Sequence, residues 1–216
     1  RRLVSLSLGE RRRVLMADLY NLFPVPIVSS FYSDSTNLKK VLAPKFKEYE
    51  INNPDGDQYS PYGYTSYYSS DNILLWKECK ELLDVIGNEV VSLHHKAGLS
   101  GSVYLENSWF SVNRQGSYHD PHCHIPSIWS GCYYVQSNLD QDAKISFLNN
   151  NHYSNWPFVQ KSITTEYNSN SSTFSVETGT LLIFPSYLLH RVEQQLSSND
   201  RITIAFNFNS KGESLS

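Results

Sequence analysis

Hydrophobic and polar positions divide the chain into a helical first half and a strand-rich second half. Leu22-Phe23-Pro24-Val25-Pro26-Ile27-Val28 is apolar but holds two prolines, which exclude a helix and predict an extended edge segment. Leu38, Val41, Leu42, Phe46 and Tyr49 recur at helical spacing, with Pro44 expected to kink or restart that helix. Residues 51–70 have no period and read as a long surface loop. Leu75, Cys79, Leu82, Ile86, Val90 and Leu93 then form one stripe, predicting a helix over about 71–97 with Asp71 as N-cap and Gly98 as its stop. His94 and His95 fall in its last turn, where the helix dipole favours a cation.

From residue 102 the pattern changes to short alternating runs: 102–112, 131–136, 144–148, 173–177, 180–185 and 201–209, separated by turn-forming clusters. Several strands after two helices predict a mainly β sandwich or barrel with helices packed outside. Residues 149–172, rich in Asn and Ser with Tyr153, Trp156 and Tyr167, read as an insertion rather than a domain. The basic stretch 1–15 precedes Met16, the only methionine, and reads as an upstream leader, leaving 16–216 as a single domain.

Composition narrows the class. The 216 residues suffice for one large core, and 13% aromatic content with 15 Tyr is that of a folded, β-rich chain. A net charge of −3 gives no general attraction to nucleic acid or anionic membrane. Cys79, Cys123 and Cys132 are odd in number and unpaired in spacing, which points to a reducing, cytoplasmic setting. Cys123 and Cys132 read as small buried hydrophobes.

The candidate chemistry lies in His119-Asp120-Pro121-His122-Cys123-His124 and the later His190. On a regular strand Asp120, His122 and His124 share one face and His119 the other. Two neighbouring imidazoles and a third from a distant strand can hold one side of a metal and leave the other open, the arrangement of oxygen-using non-heme Fe(II). Parity allows either Asp120 with His122 and His190, or His122 with His124 and His190. Arg201 follows His190 by eleven positions and offers a bidentate fork for a carboxylate, with Thr203 on the same face. Asn113, Ser130 and Tyr133 are candidate pocket residues, and Trp109, on the face of Asn113, reads as core, with pocket wall as the alternative.

Trp109, Asn113, Gly116, the box Pro121-His122-Cys123-His124-Ile125-Pro126, the strand Ser130-Gly131-Cys132-Tyr133-Tyr134-Val135 and the run Gly179 to His190 with Arg201 downstream resemble the 2-oxoglutarate/Fe(II) oxygenase family of bacteria and their phages. Phe23-Pro24-Val25-Pro26 is similar to its usual start, and the likeness spans roughly residues 20–210. It implies a double-stranded β-helix (jelly-roll, cupin-like) core over about 102–209. The implied ligands are His122, His124 and His190, with Asp120 demoted to an alternative. It also implies an enzyme using Fe(II), O2 and 2-oxoglutarate to hydroxylate a small-molecule or peptide substrate, releasing succinate and CO2. Such proteins often carry Asp-Pro-Arg where this chain has Asn149-Asn150-Asn151. No nucleic-acid or membrane partner is expected, and monomer or homodimer is left open. The rival readings are a three-His cupin-type metalloenzyme without 2-oxoglutarate and a non-catalytic ligand-binding jelly roll.

Overall fold

The structure, a computed structural model, describes residues 23–59, 62–149, 162–165 and 167–211. The leader assigned to 1–15 and most of the 149–161 stretch lie outside them.

Among the described residues, ten strands and two α-helices run in the order β1 (Val28–Phe31), α1 (Ser35–Asn52), β2 (Gly63–Thr65), α2 (Lys80–Lys96), β3 (Ser102–Asn113), β4 (His119–His122), β5 (Trp129–Gln136), β6 (Ile145–Leu148), β7 (Ser171–Phe174), β8 (Thr180–Pro185), β9 (His190–Val192) and β10 (Arg201–Lys211). They form a six-stranded sheet in the order β1-β8-β5-β10-β3-β2 and a four-stranded sheet in the order β4-β9-β6-β7. Every pairing is antiparallel. This is the expected mainly β, double-stranded β-helix.

The larger sheet is buried on both faces, and period-2 alternation sorts its side chains. On β10, Ile202, Ile204, Phe206 and Phe208 join a core with Leu42 and Phe46 of α1 and Leu82, Ile86 and Val90 of α2. Phe46 stacks on Phe110 of β3 at 4.1 Å, tying α1 to the sheet. On the opposite face a smaller cluster joins the two sheets through Tyr134, Leu182 and Phe184 on one side and Ile145 and Phe147 on the other. The helices pack outside and the space between the sheets is left for a site.

Both helices differ from the periodicity reading. α1 runs through Pro44 without a break, and Val41 of its predicted stripe is exposed. α2 starts at Lys80 rather than near residue 71. Two short 3-10 turns, Ile73–Leu75 and Lys77–Cys79, precede it, separated by Trp76 in an extended conformation. Asp71 caps nothing there, because its carboxylate accepts the Tyr49 hydroxyl at 2.6 Å. Leu75 is consequently 65% exposed. The predicted 51–70 loop contains β2, which adds an edge to β3 through Gly63 opposite Asn113. The extended segment before β1 becomes a strand only at Val28, where it pairs with Ile183.

Gly131 marks the tightest packing on β5. A Cβ there would overlap the Phe206 ring and lie 2.5 Å from the Leu182 carbonyl oxygen. Gly131→Ala is expected to destabilise the protein by about 1–3 kcal/mol, the usual cost of overpacking. The check is a urea unfolding curve, which should show a lower midpoint with an unchanged slope.

Candidate metal centre

β4 and β9 lie side by side with His122 directly opposite His190. Cross-strand neighbours of this kind hold their side chains close together, and the two rings are 4.4 Å apart. His124 lies just past the end of β4. Its amide donates to the Ser186 carbonyl at 2.8 Å, which pins the post-strand turn against the β8–β9 connection. The His124 ring stacks on that of His190 at 5.1 Å. One ligand-type atom from each of His122, His124 and His190 falls within 4.8 Å of the others, a grouping that can hold a metal ion.

The hydrogen bonds fix which nitrogens face that centre. His122 Nδ1 lies 2.7 Å from the Asp120 carbonyl and His190 Nδ1 lies 2.9 Å from the Leu188 carbonyl. A carbonyl only accepts, so each Nδ1 carries the proton and each Nε2 keeps a free lone pair. Backbone carbonyls that set the tautomer of ligating histidines are a recurrent support of metal sites. Burial, followed by the neighbouring His122 charge, pulls the His124 pKa down to about 4 and that of His190 to about 3. Neutral imidazoles are the form a metal requires.

Asp120, the alternative ligand, contributes its carbonyl rather than its carboxylate and lies outside the converging set. The cause is a register shift in β4 between His119 and His122. Pro121 within it has no N–H to give to a ladder. The same shift turns His119 toward the cavity, contrary to strict alternation. Its Nε2 lies 3.3 Å from Asn113 Nδ2, and burial, then Arg201, then His122 lower its pKa to about 4.

The triad opens on a cavity of about 740 Å3 between the sheets. Arg201, Thr203, Ala205 and Asn207, alternate residues of β10, line it. Arg201 is 2% exposed. Its Nη1 donates to Asn113 Oδ1 at 3.1 Å and its guanidinium sits 4.9 Å from the centre of the Tyr134 ring. Its Nε has no partner among the described residues, and no carboxylate there forms an ion pair with Arg201.

The other expected pocket residues divide. Asn113 stands behind Arg201 and His119 as a bridge between them. Ser130 also lies behind the wall, its hydroxyl 2.7 Å from both Asn207 Oδ1 and Ser186 Oγ. Asn207 in turn sits beside His124, where its side chain favours the charged ring against the larger effect of burial. Tyr133 is on the wrong face: it packs edge-on against Tyr32 in the helix-side core, and Tyr134 takes the cavity position. Both tyrosines are buried, so burial alone could not separate them. Trp109, assigned to the core, lines the cavity, its ring 5.8 Å from that of His124. Cys132 also borders the cavity and Cys123 is exposed, so neither is a simple core residue. His94 is a buried structural group, accepting the Trp129 indole N–H at Nδ1.

Residues 107–207 match the family described as "Putative 2OG-Fe(II) oxygenase". No curated protein matches the chain in sequence. Solved structures share the fold at low identity. A prolyl-4-hydroxylase from Pseudomonas putida is 12% identical with a TM-score of 0.59, covering 87% of this chain and 94% of its own. HygX from Streptomyces hygroscopicus, solved with nickel, 2-oxoglutarate and hygromycin B, is 11% identical with a TM-score of 0.58 over 87% and 84%. The α-ketoglutarate-dependent epimerase SnoN of nogalamycin biosynthesis is 9% identical with a TM-score of 0.58 over 86% and 77%. The matched segment contains all three histidines, β3 from Asn107 onward and β10 as far as Asn207. The family match over residues 107–207 and the histidine triad point to the same chemistry, that of an Fe(II)- and 2-oxoglutarate-dependent oxygenase.

His190→Ala is expected to abolish tight Fe(II) or Mn(II) binding, while Asp120→Ala leaves it within about threefold, since the Asp120 carbonyl survives the change. Equilibrium dialysis with metal analysis distinguishes the two, and the reverse result would return Asp120 to the ligand set.

The buried rings also set a pH dependence. In the fold His119, His124 and His190 resist protonation, whereas their reference pKa is 6.5. Well above pH 6.5 neither folded nor unfolded chain protonates them. As pH falls from there toward 4 the unfolded chain binds protons that the fold refuses, so metal-free protein loses stability. Thermal unfolding of metal-free protein is expected to show a falling midpoint between about pH 7.5 and 5.

Proposed function

We propose that His122, His124 and His190 hold Fe(II), that Arg201 and Thr203 anchor the far carboxylate of 2-oxoglutarate, and that the enzyme hydroxylates a small-molecule or peptide substrate. The observation that carries this reading is Arg201. A guanidinium on a cavity wall, buried to 2% exposure, without an ion pair among the described residues and with its Nε unpartnered, is costly unless an anion completes it. A diacid that reaches the metal with one end and Arg201 with the other satisfies both groups at once.

Residues around the anchor have separable roles. Asn113 holds one arm of the fork, leaving the rest for the carboxylate. Thr203 shares its face and lines the same cavity. The Tyr134 ring lies against the guanidinium, and burial keeps its hydroxyl protonated by raising its pKa. The chemistry iron supplies there is oxygen activation coupled to conversion of 2-oxoglutarate to succinate and CO2. The protein's part is to orient the two substrates and keep the cavity walls dry.

A small or peptidic substrate is supported in general terms by the neighbours, a prolyl-4-hydroxylase, an enzyme solved with hygromycin B and an epimerase of nogalamycin biosynthesis. Among the described residues no helix is long and apolar enough to cross a membrane. The three cysteines are free, which fits a reducing, cytoplasmic setting.

Arg201→Lys keeps the charge but loses the fork and should weaken 2-oxoglutarate binding by about 1–3 kcal/mol, the scale of a charge-assisted hydrogen bond. Metal binding should be unchanged. Calorimetric titration of 2-oxoglutarate into Mn(II)-loaded protein measures this. Absence of binding by wild type at millimolar concentration would sink the cosubstrate assignment and favour the three-His cupin reading.

A further inference from the structure

An aromatic file leads from the outer rim of the cavity to the histidines. Tyr68 meets Tyr67 edge-on at 5.0 Å, Tyr67 meets Trp109 edge-on at 4.7 Å, and Trp109 lies near-parallel to His124 at 5.8 Å. All four line the same cavity. Tyr67 is 48% exposed and Tyr68 66%, so broad ring surface faces the opening instead of the core. Clustered exposed aromatic surface of this kind marks a binding face more often than it serves packing.

The shelf is built in advance. Ser66 is buried and exchanges two hydrogen bonds of 3.0 Å with Phe110 of β3, its N–H to the Phe110 carbonyl and the Phe110 N–H to its Oγ. Tyr67 N–H donates to Thr65 Oγ1, and Ser69 donates to the Ser66 carbonyl through both its N–H and its hydroxyl. The turn carrying Tyr67 and Tyr68 is therefore fastened to the same strand that carries Trp109.

Charge adds an independent constraint. The carboxylates that line the cavity are Glu106 and Asp120, both exposed. Glu106 is oriented by the Ser127 hydroxyl, which donates to it at 2.6 Å. The only Lys or Arg on the cavity wall among the described residues is Arg201, at its buried end. With a diacid on Arg201, the mouth is left acidic and aromatic.

We propose that this mouth selects a substrate carrying a cationic amine or guanidinium on a ring or similarly flat apolar body, the ring lying on Tyr67 and Trp109 and the cation between the aromatic faces and Glu106. Aromatic faces attract cations as well as apolar rings, and a nearby carboxylate adds to the attraction. The inference rests on the oxygenase reading, which places 2-oxoglutarate at Arg201.

The test uses three probes of one shape: phenethylamine, phenethyl alcohol and phenylacetate, titrated into protein loaded with Mn(II) and 2-oxoglutarate and followed by tryptophan fluorescence and calorimetry. Phenethylamine is expected to bind about tenfold more tightly than the alcohol, and phenylacetate more weakly still, in line with a cation–π contact reinforced by a carboxylate. Glu106→Gln, an exposed change that keeps an acceptor for Ser127, should remove most of the preference for the amine. Tyr67→Leu should weaken the amine and the alcohol alike. Both variants should retain wild-type 2-oxoglutarate binding, and matching thermal midpoints exclude misfolding. Equal binding of the three probes, preference for the acid, or no amine binding by protein that still binds Mn(II) and 2-oxoglutarate would overturn the inference. Failure to bind 2-oxoglutarate, with amine selectivity intact in the Mn(II) protein, would instead overturn the cosubstrate assignment.

Discussion

The two-residue repeat of β10 is the constraint on which the rest depends. This strand pairs with β3 along its full length and with β5 over most of it, so it lies deep within the larger sheet. Its even-numbered residues from Ile202 to Phe208 seal the sheet against the helices, and the odd-numbered ones from Arg201 to Asn207 form the floor of the cavity. One strand therefore contributes both to the stability of the molecule and to its chemistry. A slip of one residue would bury Ile202 in the cavity and drive a guanidinium into the apolar core, so the hydrophobic contacts of α1 and α2 enforce the register that presents Arg201.

That register explains how a nearly inaccessible cation can be tolerated. The Tyr134 ring lies against the guanidinium and Asn113 binds one of its nitrogens, which offsets part of the desolvation without a counter-ion. A structural carboxylate would have satisfied Arg201 more fully and left it useless as an anchor. Partial satisfaction is what a site kept open for an anion looks like.

Much of this was legible in the sequence because it depends on local period. The alternation of 201–209 and 102–112 predicts their two faces, and His122, His124 and His190 are recognisable by residue type and by their place beside apolar runs. The misreadings fall where local pattern is silent. β5 is buried on both faces, so its composition shows no alternation, and nothing local says that Tyr134 rather than Tyr133 faces the cavity. Gly131 carried the missing information, since its lack of a Cβ makes room for Phe206 and so assigns the odd positions to the helix side. His119 was misplaced because alternation assumes a regular strand, and the shift around Pro121 breaks it. The onset of α2 was set by Trp76 and by the bond from Leu74 N–H to Ser108 Oγ, a contact 34 residues away. Trp109 sits where an apolar residue could equally be core or wall, and only the position of the opposing sheet decides it.

Three histidines in place of two and a carboxylate would have an electrostatic consequence that ties the two ends of the cavity together. A carboxylate ligand would cancel one charge of a divalent ion, whereas three imidazoles cancel none. The low pKa values of His124 and His190 keep those two rings unprotonated near neutrality. With a divalent ion on the histidines and Arg201 at the far end, the cavity would carry a positive charge at each end. A dianion whose carboxylates are separated by a short carbon chain is complementary to that pattern, and either charge alone would be left unpaired by a monoacid. The Asp120 carboxylate, exposed and outside the converging histidines, would leave the metal end uncompensated and add to the negative charge of the rim. The irregularity of β4 would in that way suit the inner cavity to an anion and the mouth to a cation.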